Sequence, residues 1–186
     1  MIRRQFLAGV RVLLVLTVLL GVLYPLAVAG IAQVTMPGRA NGSLVRSGDQ
    51  VVGSALIGQE FTGPQWFHGR PDAFDPTASG ASHLGPSNEL LAGAMRRVAE
   101  EVARAEGWAG LIPADAVSGS GSGLDPHISP EYARLQAPRV AAARSLETEE
   151  VLRLIGRLTE GRTLGFLGGP RVNVLLLNLA LSGLRP

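Results

Sequence analysis

The sequence predicts an α+β protein: a single N-terminal transmembrane helix followed by one mixed α/β extracytoplasmic domain. Three observations carry this. Val12 to Ile31 is an uncharged apolar run long enough to cross a bilayer core as a helix. Arg3, Arg4 and Arg11 precede it with no acidic residue among them, so the positive-inside bias leaves the N-terminus in the cytoplasm and sends the rest of the chain outward. Beyond it, helical periodicities alternate with short β-branched runs and turn-rich stretches. The chain of 186 residues divides accordingly into a tip and anchor (1–34), a tether (35–50) and a domain (51–186).

Thirteen Val, Leu and Ile residues between Val12 and Ile31 contribute about −4 to −8 kcal/mol of insertion free energy. Arg11 sits where its stem can snorkel to the headgroups. A lone helix encloses no pore, so any ion path belongs to another chain. Gly21, Pro25 and Ala29 recur every four residues, a spacing at which small residues let a second helix approach. Gly and Pro are also frequent in membrane helices without that role. The same stretch fits a cleaved signal peptide, with Ala27-Val28-Ala29 as the small-residue site. Apolar character continuing through Ile31, Ala32 and Val34 favours an anchor.

Composition narrows the chemistry. The chain has no cysteine, which excludes thiol catalysis, Cys-zinc sites and disulfides. It has no lysine, which excludes a Walker A loop and an S-x-x-K nucleophile. A formal net charge of +2, with three arginines in the anchor, leaves no nucleic-acid footprint.

Within the domain, Val51 to Ile57 reads as a strand. Gly58 to Pro86 is irregular, and its rings Phe61, Trp66, Phe67 and Phe74 call for burial in the domain or against a partner. Ser87 or Asn88 caps a helix to about Glu106, with Leu91, Met95, Val98 and Val102 as its apolar stripe. Pro113 and Asp115 open a turn, and Val117 to Gly123 has the composition of a flexible linker. Ser129-Pro130-Glu131 starts a helix that Pro138 should interrupt. A helix from Thr148 to Thr159 ends near Gly161. Thr163 to Leu167 and Pro170 to Val174 resemble a hairpin, and Leu175 to Leu184 is too short to span a membrane and belongs to the core.

Catalytic patterns are thin. His68, His83 and His127 lie near Asp72, Asp75, Asp115 and Asp125, without H-x-x-x-H or H-x-E spacing. Ser120, Ser122, Asp125 and His127 supply hydrolase ingredients without a G-x-S-x-G elbow. The Ser/Gly run 117–123 fits either an anion-binding nest or a tight loop fixing the next helix, the latter being favoured.

Seven segments in order carry a resemblance: Gly53 to Gln59, Phe67 to Pro71, Ser79 to Ser82, Leu84 to Asn88, Ser120 to Ser129, Gln136 to Ala141, and Val172 to Val174. Together they resemble the KdpC family, the C subunits of the potassium-transporting Kdp P-type ATPase. His83 stands where that family usually has Asn, Gly119 where it has Ala, and Trp66 where it has Tyr. The resemblance implies a non-catalytic subunit of a high-affinity potassium importer of the bacterial inner membrane. Its partners would be a channel-like potassium-translocating subunit and a P-type ATPase subunit, besides membrane lipid. It implies a role in stabilising the assembly and, as catalytic chaperone, in raising the nucleotide affinity of the ATPase subunit. No cofactor is expected on this chain, ATP and potassium being handled by the complex. The expected partner contacts are Gly21, Pro25 and Ala29 on the helix and Phe61, Trp66, Phe67 and Phe74 in the loop. The rival reading is a periplasmic enzyme or binding domain released by signal-peptide cleavage.

Overall fold

A computed structural model describes residues 2–183 and has the α+β composition that the sequence predicts. Two compact units divide between Leu44 and Val45.

The first unit is built on one apolar helix, Ile2–Thr35, long enough to cross a membrane. It comprises α1 (Ile2–Val18), a π-helical turn (Leu19–Leu23) and α2 (Tyr24–Thr35). The wide turn has a local cause. Pro25 has no N–H to donate one turn back, and the Tyr24 N–H bonds Leu19 O, five residues earlier. The segment 35–50, expected to be a tether, forms structure. Pro37 opens a short helix, α3 (Pro37–Ala40), and the Asn41 amide binds both Pro37 O (2.8 Å) and the Gln33 amide (3.1 Å).

β1 (Leu44–Ser47) pairs with β2 (Gln50–Ser54) in a two-stranded sheet. The strand expected over 51–57 therefore stops earlier. Ser54 turns the chain by accepting the Leu56 N–H on its hydroxyl (3.1 Å) and the Ile57 N–H on its carbonyl (3.4 Å).

In the second unit, α4 (Glu89–Glu106) is capped by Asn88 rather than Ser87, its Oδ1 accepting the Leu90 N–H. Gly107, at φ 59°, ends it in the left-handed conformation that glycine adopts without steric cost. The Pro113–Asp115 turn continues as a single helical turn, α5 (Ala114–Val117). After β3 (His127–Ile128) comes α6 (Pro130–Arg144), capped by Ser129.

Pro138 does not interrupt α6. The ring sits on the exposed side, as does Arg134, whose carbonyl has no N–H of residue 138 to accept. The opposite side is fixed by buried Ala133, Ala137, Val140 and Ala141. Small residues there let α7 (Thr148–Leu158) pack closely through Val151, Leu154 and Ile155.

The expected hairpin forms with a different first strand. β4 (Thr159–Glu160) pairs antiparallel with β5 (Arg171–Asn173), giving the order β3-β5-β4. Thr163 to Leu167 instead closes on itself through a single bridge, because Leu164 and Gly165 take positive φ. The last apolar run is α8 (Val174–Ser182), whose Leu177 and Leu181 are core residues as expected. Leu184 lies outside the described residues. Burying a leucine side chain as fully as Leu177 contributes about 1.5–3 kcal/mol.

Candidate partner-contact site

The long segment between β2 and α4 has no helix or strand of its own. It is held by side chains that take the place of a neighbouring strand. Asn178, on α8 and 1% exposed, accepts the Phe67 N–H (2.9 Å) and donates to the Phe67 carbonyl (2.9 Å). Gln136 on α6 does the same for His68, at 2.7 and 3.0 Å. Two buried amides thus satisfy four adjacent backbone groups that burial would otherwise leave unpaired.

Arginines fasten the flanks. Arg139 donates from Nε to both oxygens of Glu106 (2.9 and 3.0 Å), and from Nη1 to the carbonyls of Pro64 (2.6 Å) and Trp66 (3.0 Å). Burial pushes the Glu106 carboxyl up, against the opposing pull of Arg139. Arg144 donates to Gln65 O (2.8 Å) and lies 4.3 Å over the Trp66 ring, a cation–π contact. Arg70 reaches the carbonyls of Ser118 and Gly119 and the Asp125 carboxylate.

These contacts bind the Ser/Gly run as well, so it is not a free linker. The Asp72 carboxylate accepts the Ser120 N–H (2.8 Å), and Gly80 donates to Ser122 O (2.8 Å). An acceptor from the chain itself occupies that backbone donor, as a loop-fixing role requires.

The expected contact rings have separate fates. Phe67 is fully buried in the chain's own core, the first of the two fates expected for these rings, with its backbone held by Asn178. Phe61 packs against the same core and against Trp66, with centroids 5.9 Å apart. Phe74 covers Gly69, where a β-carbon would come within 2.9 Å of its Cζ. Phe61, Trp66 and Phe74 each keep part of their surface exposed. On the apolar helix, Gly21, Pro25 and Ala29 are exposed. A β-carbon at Gly21 would meet only Thr17 Cγ2, at an ordinary 3.9 Å, so nothing in this chain requires glycine there.

The histidines are dispersed. His68 Nε2 lies 3.0 Å from Gly63 O, and burial lowers its pKa below the usual imidazole value. His127 Nδ1 faces Asp125 Oδ1 at 3.3 Å, while Ser120 Oγ faces Ser122 Oγ at 3.4 Å. Among the described residues no group of three or more His, Asp or Glu side chains is close enough to hold a metal.

Sequence patterns do not reveal the amide and arginine clasps. Gln136 and Arg139 fall within the Gln136 to Ala141 segment without a role that spacing assigns, and Asn178 belongs to no motif. One signal is present: an amide inside the apolar run Leu175–Leu181 (LLNLAL follows Leu175), since a polar group there must find a partner.

Residues 6–183 match the family model described as KdpC: K+-transporting ATPase, c chain. Relatives named potassium-transporting ATPase KdpC subunit include one from Kineococcus radiotolerans, 52% identical over 98% of this chain and 95% of the relative. Others are from Caulobacter vibrioides, 54% identical over 91% and 88%, and Mycobacterium tuberculosis, 51% identical over 98% and 100%.

Proposed function

The chain belongs to the KdpC family, the c chains of K+-transporting ATPases, and from that membership we propose that it is a non-catalytic accessory subunit of an ATP-driven, high-affinity potassium import complex. The observation that carries the reading is the match over residues 6–183, which takes in the apolar helix and the domain together. A single apolar helix offers no ion path, so the cargo passes through a channel-like subunit and ATP is hydrolysed by a P-type subunit.

Arg3, Arg4 and Arg11, with no acid beside them, support a cytoplasmic N-terminus in the bacterial inner membrane and a domain on the outer side. In that orientation stabilisation of the assembly is the direct role. The catalytic-chaperone effect on nucleotide affinity, taken from the family, then acts through the partner subunits, because ATP lies across the membrane. The Gly21, Pro25 and Ala29 face is the proposed helix contact. Phe61, Trp66 and Phe74 are proposed as the domain's aromatic contacts, Phe67 supporting them from within.

The test is a mild-detergent pull-down of the full-length protein from membranes of potassium-starved cells, followed by mass spectrometry. Co-purification of a P-type ATPase and a channel-like subunit is the expected result, and G21L with A29L together should weaken it. A protein recovered alone, with its N-terminus at Gly30, would overturn the reading in favour of a released periplasmic enzyme or binding domain.

A further inference from the structure

The connection between β4 and β5 carries a tip that the rest of the chain leaves uncovered. Leu164 is 79% exposed, Phe166 68% and Leu167 49%. Elsewhere in the second unit, large exposed apolar residues occur singly or in adjacent pairs, and scattered residues of that kind call for no partner. Three within four positions, one of them aromatic, form a patch whose burial would be favourable.

The backbone holds this patch outward and closes on itself. Leu164 takes φ 55°, a left-handed conformation that is costly for leucine and free for glycine. Thr163 and Leu167 exchange two N–H···O bonds of 2.9 Å. The Gly165 N–H bonds Arg162 O (3.1 Å), and the Phe166 N–H bonds Thr163 O (3.3 Å). These donors are thereby satisfied within the loop. Hydrocarbon offers no acceptor, so a segment enters it cheaply only when its own donors are already paired. Pairing with the edge of a protein sheet would need those donors free.

Charge points the same way. Between Gly161 and Pro170 the only charged residue is Arg162. Its side chain is exposed and makes no ion pair or hydrogen bond among the described residues. At the base of the loop, Arg171 is already held by Glu160 at 2.8 Å. A free guanidinium beside an apolar tip matches the layering of a bilayer face, with phosphate above hydrocarbon.

We propose that the β4–β5 loop docks on an anionic phospholipid bilayer, Leu164, Phe166 and Leu167 entering the interface and Arg162 meeting a lipid phosphate. The proposal rests on the reading of Ile2–Thr35 as a membrane anchor. A domain already tied to the membrane needs only a weak surface contact to be held against it.

The chain has no cysteine, so Leu164→Cys, Phe166→Cys and, as a control on the exposed side of α4, Glu101→Cys each accept one nitrobenzoxadiazole label. The full-length variants are reconstituted into vesicles of phosphatidylglycerol and phosphatidylethanolamine, with and without a lipid carrying a nitroxide near its headgroup. Positions 164 and 166 should emit at shorter wavelength and be quenched by the nitroxide, while position 101 stays water-like. Adding Arg162→Gln should lower the ratio of lipid-exposed to water-exposed label roughly fivefold in these vesicles and leave it unchanged in phosphatidylcholine. Water-like emission at 164 and 166, quenching equal to that at 101, or a ratio indifferent to residue 162 overturns the proposal. A label shielded only when other subunits are present, and untouched by the nitroxide, overturns it in favour of a protein contact. Protein that floats with the vesicles in any of these cases leaves the anchor standing, whereas protein that does not float overturns both.

Discussion

Replacing Asn178 by leucine tests whether buried amides hold the long loop. The side chain is of similar size and suits the apolar run of α8, so the change removes hydrogen bonds without opening a cavity. Two bonds of 2.9 Å to Phe67 are lost, one donated and one accepted. Both backbone groups of Phe67 then remain buried without partners, at about 1–3 kcal/mol each, or about 2–6 kcal/mol together. A domain of this size has a total stability of about 5–15 kcal/mol. The loss is therefore a large share of what holds the fold.

Thermal unfolding of the full-length protein in mild detergent should show a midpoint lower by about 5–20 °C, taking about 2–4 °C per kcal/mol. Amide exchange should accelerate first at Phe67 and His68, because Gln136 grips the adjoining residue and the two clasps share a backbone. Combining Asn178→Leu with Gln136→Leu should cost less than the sum of the single changes, since neighbours on one segment do not act independently. A midpoint within a degree of the parent, with Phe67 exchange unchanged, would refute the clasp and place the loop's stability in its rings alone.

Two more outcomes are set by the geometry. The hydrogen bond from the His127 side chain, with Arg70 adding to it, holds the Asp125 carboxyl below its usual value of 3.8. Asp125 therefore contributes stability that is complete above about pH 3.8 and disappears as pH falls through its lowered folded value. Asp125→Asn should destabilise by less than about 1 kcal/mol at neutral pH, the pair being partly solvated, and the gap should close in acid unfolding curves below pH 3.8. In α6, Pro138→Ala restores the donor to an unbroken helix and should raise the unfolding midpoint, by about 1–3 kcal/mol in free energy. A lower midpoint would mean that the proline ring packs usefully where it stands.

Much of the fold is readable from local patterns. The apolar helix, α4 with its Asn88 cap, α6 with Ser129-Pro130-Glu131 at its start, and α7 all emerge from periodicity and end signals within a few residues. The family is equally legible, because seven short motifs in order leave little room for coincidence. Elements set by pairing are not legible in this way. β4 is two residues at the end of α7 rather than the apolar 163–167, since a strand this short is defined by its partner β5 and not by its own composition. Pro138 carries a local signal for breaking α6, and only the burial of the opposite side keeps the helix whole.

The sequence by itself determined the apolar N-terminal helix, the other helices, the excluded chemistries and the family, because each is written in residue types and their spacing along the chain. Tertiary structure alone decided which rings are spent in the core, which amides clasp the loop, and which side of α4 stays open. Those depend on pairs such as Phe67 with Asn178, 111 residues apart. A hydrogen bond across that distance leaves no periodic trace, since it depends on where two backbones meet and not on what lies beside either residue.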